Sequence, residues 1–445
     1  MDRRHRGLGS VALSAFLCLL LVTSVLVVFE ERAVPGRGPK VEGNLPSTPG
    51  FGPSGKSVKA GPVPRGIAVA TSSLPGVVPN VTVGGDPEWA TYDGEDGYVY
   101  VPDGGSTVYV INGTSMVANV TVGSFPCSAV WDSGNGDVYV PNEYSNNVSV
   151  IHGTAVVGSV NVGGSPVQVV YDSGNGDVYV MNYETNNVSV IHGTQAIGSV
   201  TVENPPDSAV YDSRNGYVYV PEAFSSNVTV VNGTSVVATV PVGSGPQDAA
   251  YDAGNGDVYV PNIDSGSVSV IHGTSVVGTV PVGLYPSFAT YDSGNGDVYV
   301  ANAGPNNVSV INEIQVTATV TLNSSPSSAV YDSGNGYVYV LEANSGNVTV
   351  IDGTSIVATV PVGSQPQNAA YDSGNGYVYV PNYGSGNVSV IGAAPPPSAT
   401  VPSSSGAGVP LWLYLLNGAV IGAIVAAVVV YVARRRRRPA LGSDF

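Results

Sequence analysis

Three of the four histidines, His152, His192 and His272, recur at intervals of 40 and 80 residues, each followed by Gly-Thr. Three converging imidazoles would make a metal centre. Elsewhere, however, the same slot holds Asn112, Asn232 or Asp352. Asn, Asp and His are the non-glycine residues that best tolerate a positive φ, and x-Gly suits a two-residue type I′ turn. The expectation is therefore a turn residue on separate elements. A second pattern, Asp-Ser-Gly-Asn-Gly-Asp at 172–177, offers oxygens at positions one, four and six. A calcium loop places them at alternate positions and closes on a bidentate Glu, which is missing here. In four copies the sixth residue is Tyr (Tyr98, Tyr217, Tyr337, Tyr377). Asp and Asn-Gly also suit a hairpin turn. No Ser-His-Asp set or phosphate loop accompanies these patterns, and Cys18 and Cys127 are the only cysteines. The expectation is a non-enzyme with no catalytic residues, no cofactor and no metal.

Modification chemistry is better represented. Eleven Asn-x-Ser/Thr sequons occur, at Asn80, Asn112, Asn119, Asn147, Asn187, Asn227, Asn232, Asn307, Asn323, Asn347 and Asn387. Outside a cell these are glycan acceptors. Part of the count reflects the recurrence of Asn-Val-Ser/Thr at one place in a repeat.

An aromatic-Asp pair marks that repeat, at Tyr92, Trp131, Tyr171, Tyr211, Tyr251, Tyr291, Tyr331 and Tyr371. The first interval is 39 residues and the rest are 40. Val, Tyr, Ile and Thr dominate each unit, which is strand composition. Gly, Asn, Asp and Ser punctuate it, which is turn composition. Four short strands, A to D, fall in each unit, apolar on both faces as strands buried between layers are. Period, strand count and size predict an all-β, eight-bladed β-propeller of eight 40-residue four-stranded repeats. The last unit lacks a strand D, and the segment 77–83 before the first unit resembles one. It is expected to pair with 388–391 and close the ring.

Alternating strand direction puts the near-identical A–B and C–D turns on one face and the variable B–C and D–A loops on the other. Variable loops on a rigid scaffold are where binding lies. The expected ligand site is the channel mouth on that face, with Glu88, Asp207, Gln247, Asp248 and Gln367.

Charge separates the middle of the chain from its ends. The chain has 445 residues, a formal net charge of −17 and only 11% charged residues. Between residues 76 and 392 stand 27 acidic residues and a single base, Arg214. A nucleic-acid binder needs a basic face and is excluded. The bases lie instead beside two apolar spans. Residues 8–29 follow Arg3, Arg4 and Arg6, and residues 411–433 precede the run Arg434, Arg435, Arg436, Arg437, Arg438. The second span is long enough to cross a bilayer, and Trp412, Tyr414 and Tyr431 suit its interfaces. Positive residues stay cytoplasmic, so the acidic body is expected outside the cell and the tail inside. The predicted organisation is a signal peptide or signal-anchor helix (1–33), a Pro/Gly-rich linker (34–75), the propeller (76–392), a Pro/Ser-rich linker (393–410), a transmembrane helix (411–433) and a basic cytoplasmic tail (434–445). Gly418 and Gly422 would let two such helices approach closely, allowing a homodimer.

Tyr139-Val140-Pro141-Asn142, Tyr179-Val180-Met181-Asn182, Tyr299-Val300-Ala301-Asn302 and Tyr379-Val380-Pro381-Asn382 resemble the Tyr-Val-Thr-Asn repeat of the YVTN β-propeller family. The following Asn-Val-Ser-Val-Ile and the Val-Gly-Ser-x-Pro at 242–246 match the same consensus. Glu222, Glu342 and Asp103 replace the final Asn. The resemblance implies a surface-layer or cell-surface protein of archaeal or bacterial type. Together with the residues, it predicts a non-catalytic, membrane-anchored scaffold for binding or adhesion, with surface glycans or envelope proteins as partners. An envelope-lattice component and a propeller enzyme such as a lactonase are the alternatives. The scarcity of bases and ion pairs further predicts a body suited to an acidic exterior.

Overall fold

The computed structural model describes residues 74–393. The apolar spans, both linkers and the Gly418/Gly422 pair lie outside the described residues. Eight four-stranded antiparallel sheets make eight blades. In chain order they occupy 91–121, 130–161, 166–201, 210–241, 250–281, 286–321, 328–361 and 370–393. The A strands of successive blades touch in turn, and that of blade 8 (Ala370–Asp372) meets that of blade 1 (Thr91–Asp93), so they form a closed inner ring.

The ring closes as the repeat pattern requires. Pro75–Thr82 lies antiparallel to Asn387–Ala393, with Val78 opposite Val390 and Val81 opposite Val388. Blade 8 thus takes its outer strand from the segment that precedes blade 1, so its strand C is covered as in every other blade.

Burial differs between strands. Strands B and C are buried on both faces, for example Val178, Tyr179, Val180, Val188 and Val190 at 0% exposure. Strand D is not. Its first half stands in solvent, with Val157 53% and Ile197 50% exposed. The expectation of strands apolar on both faces and buried therefore fails for strand D. Blades splay apart away from the axis, so the outermost strand has no neighbouring sheet to cover it.

Two tyrosines per repeat join the blades. The strand B tyrosine is buried in every blade. The Tyr100, Tyr219 and Tyr299 hydroxyls donate to the carbonyls of Gly153, Gly273 and Gly353 in the next blade's C–D turn. The strand A tyrosine reaches back to the strand A aspartate of the preceding blade. Seven of the eight positions make this contact, among them Tyr171–Asp132, Tyr211–Asp172 and, across the seam, Tyr92–Asp372. Trp131 interrupts the series. Its ring lies against Gly94, and both its indole Nε1 and the Asp93 Oδ2 are buried without a partner.

The A–B motif is a turn. Asp132 Oδ1 accepts from Gly134 N, Asn135 Oδ1 accepts from Asp137 N, and Gly136 takes φ +77°. The C–D turn corrects one expectation. His152 pairs with Ala155 inside the ladder, and the two turn residues are Gly153 and Thr154, of which only Gly153 has a positive φ. Glycine alone at the first central position suits type II′ rather than I′. The histidines do not sit in the turn. Each meets the aspartate opposite it on strand B: His152–Asp137 3.0 Å, His192–Asp177 2.9 Å and His272–Asp257 2.7 Å.

The B–C and D–A loops share one face, as expected. In blade 2, Glu143 N donates to Phe125 O and Tyr144 N to Ser124 O, tying the two loops together.

Candidate functional site

The five residues assigned to the channel mouth all stand at the head of strand A, in the two positions after the D–A proline. They fall into two groups. Glu88 and Gln367 belong to blades 1 and 8, which join where Ala90 N donates to the Asn368 carbonyl, 3.0 Å. Asp207, Gln247 and Asp248 belong to blades 4 and 5, joined where Ser208 Oγ donates to the Gln247 carbonyl, 2.8 Å. The two groups lie on different arcs of the ring and do not meet.

The second position after the proline stitches blades together. Gln168 Oε1 accepts from Ala209 N at 2.7 Å, and Asp248 Oδ2 from Ala289 N at 3.3 Å. Asp248 is therefore partly occupied by the scaffold. Burial at the heads of the inner strands disfavours charge. It pushes Asp207 up to about 6. It pushes Asp248 up to about 7, against two backbone N–H groups that pull it down, with the Asp207 charge adding to the rise. Glu88 rises to about 8, through burial first and then the charges of Glu143 and Asp86.

The loops rest on a buried polar layer at the end of strand B. Asn142 is fully buried, and its Nδ2 donates to Asn147 Oδ1 and Ser149 Oγ on strand C. Asn182, Asn302 and Asn382 do the same with Ser189, Ser309 and Ser389. In blades 4 and 7 the partners change together. Glu222 accepts from Thr229 Oγ1, 2.5 Å, and Glu342 from Thr349 Oγ1, 2.6 Å. Asp103 accepts from Tyr109 Oη at 3.1 Å. The D–A loop follows suit. Gly123 packs so close that a Cβ would stand 2.7 Å from Asn142 Cβ, whereas Glu203 and Asn323 fill that slot ahead of Glu222 and Glu342. The pairing is visible in the chain as Asn with Ser, Glu with Thr and Asp with Tyr, a signal the motif comparison alone passed over.

Large apolar side chains crowd this face. Phe224 is 74%, Leu284 66%, Tyr285 45% and Tyr144 41% exposed. Phe125, Phe224 and Tyr285 hold φ of +58°, +59° and +55°. A bulky residue in that region is a genuine outlier. Phe125 is held there by its backbone: its N–H donates to Gly105 O at 2.8 Å and its carbonyl accepts from Glu143 N at 2.9 Å. Gly245 occupies the equivalent position in another blade with φ +66°, and Ser165 and Gln365 hold it with φ +53° and +54°. The Phe125 ring stacks on Tyr144, centroids 4.7 Å apart and planes inclined by 25°. Loop variability alone does not single out these aromatic residues. The usable signal was an aromatic residue directly before the D–A proline, where the other repeats carry Asp, Ser, Pro, Gly, Tyr or Gln.

Among the described residues no group of three metal-ligating side chains converges, and no helix is long and apolar enough to cross a membrane.

No protein-family model matches the chain, and no curated protein matches its sequence. Solved structures do match. Sqt1 of Saccharomyces cerevisiae superposes with a TM-score of 0.63 at 11% identity, over 72% of this chain and 99% of that one. The C-terminal WD40 domain of Sif2 gives 0.61 at 11% identity, over 72% and 99%. Virginiamycin B lyase from Staphylococcus aureus gives 0.52 at 12% identity, over 60% and 95%. The set includes a lyase and a WD40 domain at identities that carry architecture only. The chain is an eight-bladed β-propeller.

Proposed function

We propose that the protein is a non-catalytic scaffold displayed on a cell surface, which holds a partner on its B–C/D–A loop face. One observation carries this reading. The two faces of one repeat array differ: one repeats the same tight turns, and the other varies its loops and exposes aromatic residues on strained backbone. Strained, bulky residues are costly and belong to a surface that does something. Buried aromatic anchors dominate protein interfaces. Glu88, Asp207, Gln247, Asp248 and Gln367 line the mouth within this rim of loops.

Non-catalysis is supported by the histidines. A histidine-to-alanine variant of virginiamycin B lyase is described as catalytically inactive. Here His152, His192 and His272 lie in three separate blades, on the turn face, each bound to its own aspartate. The YVTN resemblance and the apolar span 411–433 support a surface location with the propeller outside. The test is an array of glycans and envelope proteins probed with the full chain and with Phe224→Ala and Tyr285→Ala. Capture lost in both variants supports the reading; capture untouched by either would overturn it. The exposed apolar edge of strand D favours a second reading, lateral packing in an envelope lattice. In that case strand D variants, not loop variants, would disturb assembly.

A further inference from the structure

We propose that the corner between blades 1 and 2, where Asp86, Phe125 and Tyr144 come together over Gly104, is the seat for a lysine or arginine side chain of a partner protein. The proposal rests on the loop-face reading and gives the partner's chemistry.

At Gly104 there is room for one methyl-sized group beside a carboxylate and a ring, 3.4 Å from Asp86 Cβ. A point one Cβ out from Gly104 would be 3.5 Å from Phe125 Cε2 and 3.8 Å from Asp86 Oδ2. Tyr144, stacked on Phe125, extends the aromatic surface. Asp86 and Tyr144 are exposed, so both can meet a partner. A cation close to an aromatic face is held by the ring quadrupole, and a neighbouring carboxylate adds a direct charge.

The corner carries negative charge with nothing to balance it. Glu88 lies within the fields of both Asp86 and Glu143, which help to raise its pKa. Glu143 is 3% exposed; its Oε1 accepts from Ser165 Oγ, and its buried Oε2 has no partner. Among the described residues the loop face bears no Lys, Arg or His. Arg214 lies in an A–B turn on the opposite face, where it donates to the carbonyls of Ala253 and Gly254, and the three histidines end their C strands on that same opposite face. An anionic partner would meet repulsion here. A neutral sugar would gain nothing from the field.

Phe125 is an independent pointer. Glycine serves the same backbone slot at Gly245, and a side chain there costs roughly 1–2 kcal/mol. Its ring is kept for contact and not for folding. This gives a variant that separates the two roles, because Phe125→Gly removes the ring and relieves the backbone.

The experiment titrates the full chain with tetralysine, tetraglutamate and cellohexaose in low salt, and compares Asp86→Asn, Phe125→Gly and, as a control on a distant acidic loop, Asp264→Asn. The expected result is binding of tetralysine and not of tetraglutamate. Asp86→Asn and Phe125→Gly should each weaken it about fivefold, Asp264→Asn should leave it unchanged, and the thermal midpoint of Phe125→Gly should be equal to or above that of the parent. If Phe125→Gly fails to fold, Asp86→Asn decides. Tetralysine binding that survives Asp86→Asn, or falls equally in Asp264→Asn, would overturn the cation seat, as would the absence of tetralysine binding. Cellohexaose binding that disappears in Phe125→Gly, without tetralysine binding, would overturn the cation while leaving the loop-face reading standing.

Discussion

At the scale of single residues, the blades are held by small polar pairs whose members change together. The Tyr–Asp rungs between inner strands are interrupted once, at Trp131, where two buried polar atoms face no partner. A lost hydrogen bond with a stranded buried group costs on the order of 1–3 kcal/mol. Trp131→Tyr should complete the rung with Asp93 and raise stability by about 1 kcal/mol, read as a higher midpoint in denaturant at unchanged slope. The strand B layer makes the opposite prediction. Glu222→Asn alone leaves Thr229 without its acceptor and puts an amide against Glu203. It should destabilise by about 1–3 kcal/mol. The triple change Glu203→Gly, Glu222→Asn, Thr229→Ser rebuilds the layer of the other blades and should recover most of the loss. Additive losses in that series would show that the three positions do not act as a unit.

At the scale of strands and loops, two consequences can be measured. The first strand, Pro75–Thr82, supplies the outer edge of blade 8. A chain beginning at residue 84 should therefore expose an open sheet edge and self-associate, seen as a shift to larger species by light scattering. Nine of the eleven sequons divide by element. Asn147, Asn187, Asn307 and Asn387 lie half-buried in strand C with Oδ1 engaged by the buried strand B asparagine. Asn80, Asn112, Asn119, Asn232 and Asn323 are exposed. Peptide mass spectrometry of protein from its own cell surface should find glycans on the second group and not on the first.

Strand count, blade count, the seam and the sharing of faces were legible in the 40-residue period, because each follows from hydrophobic pattern and turn residues alone. The burial of strand D was not, because its Val-Val pattern resembles that of strands B and C, and only the radial splay of the blades distinguishes them. Histidine placement was misread by one residue, since His-Gly and Gly-Thr are both acceptable turn centres. The companion signal was present: His faces Asp at the head of strand B in blades 2, 3 and 5, whereas the Tyr blades carry Asn112, Asn232, Asp352 or Gly392 there. Of the site, the heads of strand A could be read from loop variability. The Phe125 corner could not, because it joins two D–A loops to the B–C loops of two blades.

At the scale of the whole molecule, the pH dependence follows from which groups burial perturbs. Glu88, Asp207 and Asp248 have folded values raised to about 8, 6 and 7. The native state then holds protons that the unfolded chain has already released, so stability falls as pH rises through that window and is fully regained below about pH 4. Buried tyrosines extend the trend upward, since Tyr139, Tyr219, Tyr259, Tyr299, Tyr339 and Tyr379 are pushed by burial up to about 12. Stability should decline from about pH 10 upward as the unfolded chain ionises first. In acid, residues 76–392 have only Arg214 and three histidines to carry positive charge, so self-repulsion stays small. Among the described residues the acid–base contacts are the three His–Asp pairs. Thermal midpoints followed by circular dichroism should therefore rise from pH 8 to pH 5 and hold toward pH 2. Cooperative unfolding above about pH 3 would contradict this account.

The seam has a consequence for how such a gene changes. Because the propeller opens with the outer strand of one blade and closes with the third strand of the same blade, its repeating unit runs D-A-B-C. That unit carries the loop glycine, the strand B asparagine and the strand C serine together, so every mutually dependent trio is inherited as one segment. Unequal crossing-over between two copies would add or delete 40 codons without separating any trio. Only the Tyr–Asp rung at the new junction would need to match, and it is nearly invariant along the chain. Ring size in this lineage is thus open to change by recombination, while the chemistry inside each blade is protected from it.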